Sequence, residues 1–219
     1  MLITFDVYTA LFDIEGSLTP LVRDVLNIDG LSFVRAWRSK QLEYALISNS
    51  LGTARIPFEM LTRRSLDDTF ARYMLAPNEL TRIELVRAWR KLRPWSEAMQ
   101  VIQSLHERGY TLALLSNGDN DLLDDLSKAL PPVFRYVFSS EQAGYYKPHP
   151  SMYALPFQQL NIQPQDLLHV AGSPTDVLGA KSAGLSCVWS NRFGQPYLDM
   201  TYKADHELKD LSDLLDILR

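Results

Sequence analysis

The chain has 219 residues, 46% of them hydrophobic and 22% charged, with a formal net charge of -4 at pH 7. That length supports one well-filled core and a smaller subdomain, and the acidic balance excludes general electrostatic affinity for nucleic acid or an anionic membrane. A single cysteine, Cys187, excludes an intramolecular disulfide and a thiolate metal cluster, and its apolar setting in LSCVWS marks it as a small buried hydrophobe.

The first element is a short apolar run over residues 2–6. Neither the basic region and cleavage site of a signal peptide nor an apolar stretch of membrane-spanning length is present, so a soluble, cytoplasmic protein is expected. Residues 15–92 then read as helices throughout, with apolar positions at helical spacing in LSFVRAWRSKQLEYALI, SLDDTFARYML and NELTRIELVRAWRKL. Their arginines are interrupted by acids and form solvated faces. From residue 96 the texture alternates. Amphipathic stretches at 96–108, 120–129, 150–160, 174–183 and 209–218 separate apolar runs at 112–116, 137–139, 167–171 and 185–190. Short continuous apolar runs suit parallel strands covered on both faces, so the pattern predicts a doubly wound, Rossmann-like α/β core. The expected division is 1–14 with 93–219 as that core, and 15–92 as an inserted helical cap joined near Ile14 and Arg93-Pro94. In such sheets chemistry gathers at the carboxyl ends of the strands, and those ends carry Asp6, Ser116, Lys147 and Asp176.

Taken in order, Asp6, LLSNG, YKP and VAGSPTD with an inserted cap resemble the haloacid dehalogenase superfamily across essentially the whole chain. Two stretches narrow the likeness: FDVYTALFD is similar to the FDxYGTLFD of the L-2-haloacid dehalogenase branch, and WRSKQLEY, residues 37–44, is similar to its WRxKQLEY. The resemblance implies a two-step hydrolysis in which Asp6 attacks C2 of a short 2-halo acid, expels halide, and is regenerated when water cleaves the resulting ester. It implies Lys147 as the cation that keeps such a nucleophile charged. Arg38, with Asn117 as partner, is to hold the departing halide or the substrate carboxylate, and Ser116 to bind the carboxylate. Asp176 accepts a proton from the hydrolytic water or orients Lys147, while Tyr153 bonds Asp6, lines the pocket or simply packs in its helix. Tyr8 stands where phosphatases of the superfamily keep a second aspartate; with an ordinary pKa of about 10 it does not easily replace that acid, and the resemblance makes it a candidate contact for the substrate or halide instead. Gly172 stands where a phosphatase-like GDxxxD has its first acid, which disfavours magnesium, and no cofactor is expected. A homodimer through the cap helices is the branch's usual assembly.

The chain departs from the branch at Thr9-Ala10, where the pattern has Gly-Thr, and at Ala171 and Ser173, where it has Ser and Asn to place the hydrolytic water. Ser173 is the remaining candidate for that task, and the second step carries most of the change. Other readings therefore stay open: a magnesium-dependent phosphohydrolase, a hydrolase of another small carboxylated substrate, or a non-catalytic small-acid-binding protein. The histidines at 106, 149, 169 and 206 have no ligand spacing, and His149 stands out only through its nearness to Lys147. Trp37, Tyr44, Phe58 and Trp89 read as packing of the cap.

Overall fold

The computed structural model describes residues 1–218. In chain order it contains β1 (Leu2–Phe5), a π-helical turn (Val7–Leu11), β2 (Phe12–Asp13), α1 (Ile14–Leu26), α2 (Gly30–Ser50), α3 (Phe58–Arg72), α4 (Glu79–Ala88) and β3 (Arg93–Pro94). There follow α5 (Ala98–Glu107), β4 (Thr111–Ser116), α6 (Asn120–Ser127), β5 (Phe134–Ser139), α7 (Ser140–Ala143), α8 (Pro150–Leu160), β6 (Leu167–Ala171), α9 (Pro174–Ser182), β7 (Ser186–Ser190), β8 (His206–Leu208) and α10 (Leu214–Ile217). Two compact units result, Met1–Phe12 with Pro94–Arg219, and an inserted unit Asp13–Arg93. The crossings, β2 and β3, pair with each other as a two-stranded ribbon.

The first unit is the doubly wound α/β sheet that the alternating texture calls for. Its six strands run in the order β5-β4-β1-β6-β7-β8, and every pairing is parallel. The chain builds outward from β1 through β4 to β5, then returns to the other side of β1 for β6. That reversal puts the switch point at the carboxyl end of β1. Along β1 the residues alternate: Ile3 and Phe5 face one helical layer, while Leu2 belongs to the core formed with Ala113, Leu115, Leu167, Ala171, Cys187 and Trp189 beneath α8 and α9. Burial, and then the negative charge of Asp176, push the Cys187 thiol up, so it stays protonated and apolar in that layer.

Three local expectations need correction. Asp6 is not the last strand residue; it caps the π-helical turn, its carboxylate accepting the Thr9 N–H at 3.2 Å. The helix expected over 209–218 is a 3₁₀ turn, Leu211–Asp213, followed by the four-residue α10, because Asp210 accepts the Ser212 N–H at 2.7 Å and delays the start. β8 was not foreseen, since a polar three-residue edge strand is held by main-chain bonds to β7 rather than by an apolar pattern. No helix among the described residues is long and apolar enough to cross a membrane.

The inserted unit is built from four helices around an aromatic core in which Trp37, Phe33, Phe58, Phe70 and Trp89 are fully buried. Trp37 meets Trp89 edge-on at 5.4 Å and donates its indole N–H to Thr62 O at 2.9 Å. Tyr44 is only half-buried, because its hydroxyl donates to Asp68 at the surface. Pro20 lies inside α1 and has no N–H to offer the Gly16 carbonyl; the Arg93 guanidinium takes that acceptor, and the Arg93 N–H donates to Ser17 Oγ at 2.8 Å.

Within the first unit, α8 and α9 approach closely because Gly179 has no side chain. A β-carbon there would stand 2.3 Å from the Tyr153 hydroxyl and 2.6 Å from its ring. Tyr153 is fully buried and has no room to withdraw. Gly179→Ala is therefore expected to destabilise the fold by about 1–3 kcal/mol through overpacking, read as a lowered urea midpoint. An unchanged midpoint would show that the two helices can part freely.

Candidate active site

Three ionisable side chains meet at the carboxyl edge of the sheet. Asp6 follows β1 directly, anchored by its own N–H to Val170 O on β6 at 2.9 Å. Lys147 follows α7, and its N–H donates to Asn117 Oδ1 at 2.7 Å, so the turn after β4 fixes the lysine's backbone. Asp176 is the third residue of α9. The Lys147 ammonium stands 3.3 Å from Asp6 Oδ1 and 3.0 Å from Asp176 Oδ2, and all three residues are buried. One cation thus bridges two carboxylates that would otherwise repel each other in a poorly solvated site.

Each carboxylate has a distinct set of further donors. Asp6 Oδ2 accepts from the Thr9 N–H at 3.2 Å and from the Thr9 hydroxyl at 3.4 Å. The hydroxyl that the branch pattern puts one residue later is thus delivered from position 9. The π-helical turn makes this possible without a left-handed residue, for no position from 7 to 11 has positive φ. Asp176 accepts from four groups: Lys147 at 3.0 Å, His169 Nε2 at 3.1 Å, the Tyr153 hydroxyl at 2.9 Å and the Gly172 N–H at 3.3 Å. Burial raises its pKa, but the Lys147 charge and the hydrogen bonds from His169 and Lys147 outweigh burial and hold the carboxyl well below the usual carboxylate range. Burial, followed by the Asp176 charge, pushes the Tyr153 hydroxyl well above its ordinary value, so it remains a proton donor to Asp176.

The remaining sequence candidates fall into place differently. Ser116 ends β4 at the same edge; it is fully buried, and its hydroxyl meets no hydrogen-bond partner among the described residues. Tyr8 is buried with its hydroxyl against Gly118, 2.8 Å from where a β-carbon would be, and so packs on the turn that carries Ser116 and Asn117. Tyr153 reaches Asp176 and not Asp6, because the gap left by Gly179 leads its hydroxyl to α9. Ser173 caps α9, accepting the Asp176 N–H at 3.2 Å, and Ala171 offers no polar side-chain atom. In the inserted unit, Arg38 donates to Gln41 Oε1 at 2.5 Å and lies 5.6 Å over the Trp89 ring. Gln41 is buried and in turn donates to Thr62 Oγ1 at 2.5 Å, so the guanidinium is held by a chain of side-chain bonds.

His169 is the residue that sequence reasoning missed. It lies within β6, wholly buried, and touches Asp176, whereas His149 caps α8 through Ser151 N–H and stacks on Tyr145 at 3.8 Å. A signal was available: His169 and Thr4 are each the single polar residue in a strand buried on both faces, and a buried polar group needs a partner.

Gly172 decides what the site can hold. A β-carbon at that position would stand 2.4 Å from Asp6 Oδ2 and 2.7 Å from Ala10 N, so the acid of a GDxxxD motif does not fit this arrangement. No group of three or more His, Cys, Asp or Glu residues among those described is arranged to hold a metal ion.

Comparison with known proteins identifies the family. Residues 7–184 match the family model of haloacid dehalogenase-like hydrolases. The chain is similar to haloacetate dehalogenase H-2 of Moraxella sp. (strain B), 29% identical over 99% of this chain and 96% of that protein. It is 30% identical to the (S)-2-haloacid dehalogenase of Pseudomonas sp. (strain YL), over 98% of this chain and 93% of that one. Among solved structures, an L-2-haloacid dehalogenase from Xanthobacter autotrophicus with chloropropionic acid covalently bound superposes with a TM-score of 0.90 at 28% identity. That likeness covers 100% of this chain and 98% of that structure. With the fold, the order of the motifs and the matched length in agreement, the chain belongs to the haloacid dehalogenase-like hydrolases.

Proposed function

We propose that the protein is an (S)-2-haloacid dehalogenase that works through an ester on Asp6 and needs no metal. The observation that carries this reading is the ion-paired trio of Asp6, Lys147 and Asp176, with glycine at 172 packed against the Asp6 carboxylate where a phosphatase has its acid. A halide leaves without protonation, so Tyr8 in place of a second aspartate costs the reaction nothing.

In the first step an Asp6 oxygen attacks C2 of the substrate, the carbon inverts and halide departs. Lys147 and Thr9 keep the carboxylate aimed along that line. The buried Ser116 hydroxyl, with unspent hydrogen-bonding capacity, binds the substrate carboxylate. Arg38 supplies the cation for the halide or for that carboxylate, pre-oriented by Gln41. In the second step water adds to the Asp6 carbonyl carbon and passes a proton to Asp176. The bond from that carbon to the alkyl oxygen then breaks, and the departing 2-hydroxy acid takes the proton up. The same reading includes a cytoplasmic homodimer assembled through the inserted helices, where Leu46 and Ile47 on α2 and Met60 on α3 expose apolar side chains.

Halide release from L-2-chloropropionate is expected to be catalytic, indifferent to Mg²⁺ or EDTA, and absent for the D enantiomer. Asp6→Asn should lower it by at least ~10³-fold, as loss of a nucleophile does. Magnesium-dependent hydrolysis of p-nitrophenyl phosphate in place of halide release would favour the phosphohydrolase. Ser116→Ala should raise KM for the halo acid by about 10- to 100-fold, the loss of one bond to a charged group; an unchanged KM would remove Ser116 from the carboxylate site. Gly172→Asp should build no magnesium-dependent phosphatase and should lose halide release, since the new β-carbon displaces Asp6. Gain of metal-dependent phosphatase activity would overturn the argument from Gly172.

A further inference from the structure

Neither step of the proposed reaction uses His169, which lies within the sheet directly against Asp176. His169 is wholly inaccessible, and both ring nitrogens are engaged: Nδ1 lies 2.9 Å from Thr4 Oγ1, and Nε2 lies 3.1 Å from each oxygen of Asp176. Thr4 is its register partner on β1, so the two side chains stand side by side on the same face of the sheet. The other groups facing the ring are the Lys147 ammonium at 3.5 Å from Nε2, the edge-on Tyr153 ring at 6.0 Å, and Cys187, its register partner on β7. Asp6 lies beyond Lys147, 3.3 Å from the ammonium.

Hydrogen-bond chemistry assigns the proton. The Asp176 oxygens accept only, so the nitrogen between them must donate, and the resting ring carries its hydrogen on Nε2. The Lys147 ammonium could serve only an unprotonated Nε2, and at 3.5 Å it is farther from that nitrogen than either Asp176 oxygen at 3.1 Å. Nδ1 of a neutral ring then accepts from the Thr4 hydroxyl, whose alternative outlet, Leu168 O, is more distant at 3.5 Å. The imidazole is thereby fixed at both ends.

We infer that His169 is a positioning residue for ester hydrolysis, aiming the Asp176 carboxylate at the water that cleaves the Asp6 ester, with Thr4 locking the ring. The inference rests on the dehalogenase reading. The first step moves no proton and uses Asp6 and Lys147. The second needs a carboxylate in the right orientation to take a proton from water. At this strand end Ala171 has no polar side-chain atom and Ser173 is engaged as the α9 cap, so the aim of Asp176 carries more of the work of placing that water.

The test separates the two steps. With L-2-chloropropionate, His169→Phe is expected to leave the first-turnover halide burst within about twofold, to lower steady-state kcat about 10- to 100-fold, and to accumulate the ester adduct in the intact-protein mass. His169→Gln, which can still donate an N–H, should recover most of kcat. Should the phenylalanine variant fail to fold, Thr4→Val, which keeps the ring and removes its Nδ1 partner, should show the same split in milder form. Equal loss in both steps, or no change in ester lifetime, would overturn the inference. A second readout needs no turnover: in ¹⁵N-histidine-labelled protein at pH 8, His169 should be protonated on Nε2, with a shift that moves on Asp176→Asn. An Nε2 without hydrogen, or indifferent to that substitution, also overturns it. Absence of halide release by the unaltered protein would instead refute the dehalogenase reading and the step assignment with it, while the NMR result still decides whether His169 holds Asp176.

Discussion

The Lys147 ammonium between the carboxylates of Asp6 and Asp176 is the constraint on which the rest of the site depends. Burying an unpaired ion costs several kcal/mol, and two carboxylates sharing a dry site repel. One cation against two anions leaves the balance to neutral donors. The Thr9 N–H and hydroxyl serve Asp6, while His169, Tyr153 and the Gly172 N–H serve Asp176. The result is a division of labour: Asp176 gathers four donor groups and is held low in pKa, whereas Asp6 keeps an arrangement with fewer partners.

This cluster is a product of topology before it is one of side chains. The switch point at β1 opens the sheet edge between β4 and β6, and the loops that follow β1, β4, β5 and β6 all end there. Missing side chains then allow the close approaches. Gly172 leaves room for the Asp6 carboxylate, and Gly179 leaves room for Tyr153 to reach Asp176. The α8 and α9 layer that fills the core thus also positions a hydrogen-bond donor in the site. Packing and chemistry share the same residues here, so a change made for one is felt by the other.

In the inserted unit, Arg38 illustrates how a long flexible cation is held in place. Thr62 donates to Phe58 O and receives from Gln41, and Gln41 receives the guanidinium, all beside the face of Trp89. Each link removes rotamer freedom from the guanidinium and holds it in one orientation. The WRSKQLEY stretch reads accordingly: Trp37 packs the core, Arg38 is presented, and Gln41, four residues after the tryptophan, holds it.

Much of this was legible in the residues alone. The alternation of apolar runs and amphipathic stretches determines a parallel, doubly wound sheet, because strands covered on both faces must be apolar throughout and their crossovers must be helical. Motif order places Asp6, Ser116, Lys147 and Asp176 at strand ends, and the 37–44 stretch singles out Arg38. What only the tertiary structure decided is who touches whom. Thr9 replaces the hydroxyl lost at Ala10 because a π-helical turn changes where side chains project, and no spacing rule announces such a turn. Tyr153 chooses Asp176 because a glycine on another helix admits it. His169 joins the site because parallel pairing of β1 with β6 sets it beside Thr4 and beneath Asp176. Local pattern specifies elements and the ends of strands; contacts between residues more than a hundred positions apart are set by register and by close packing.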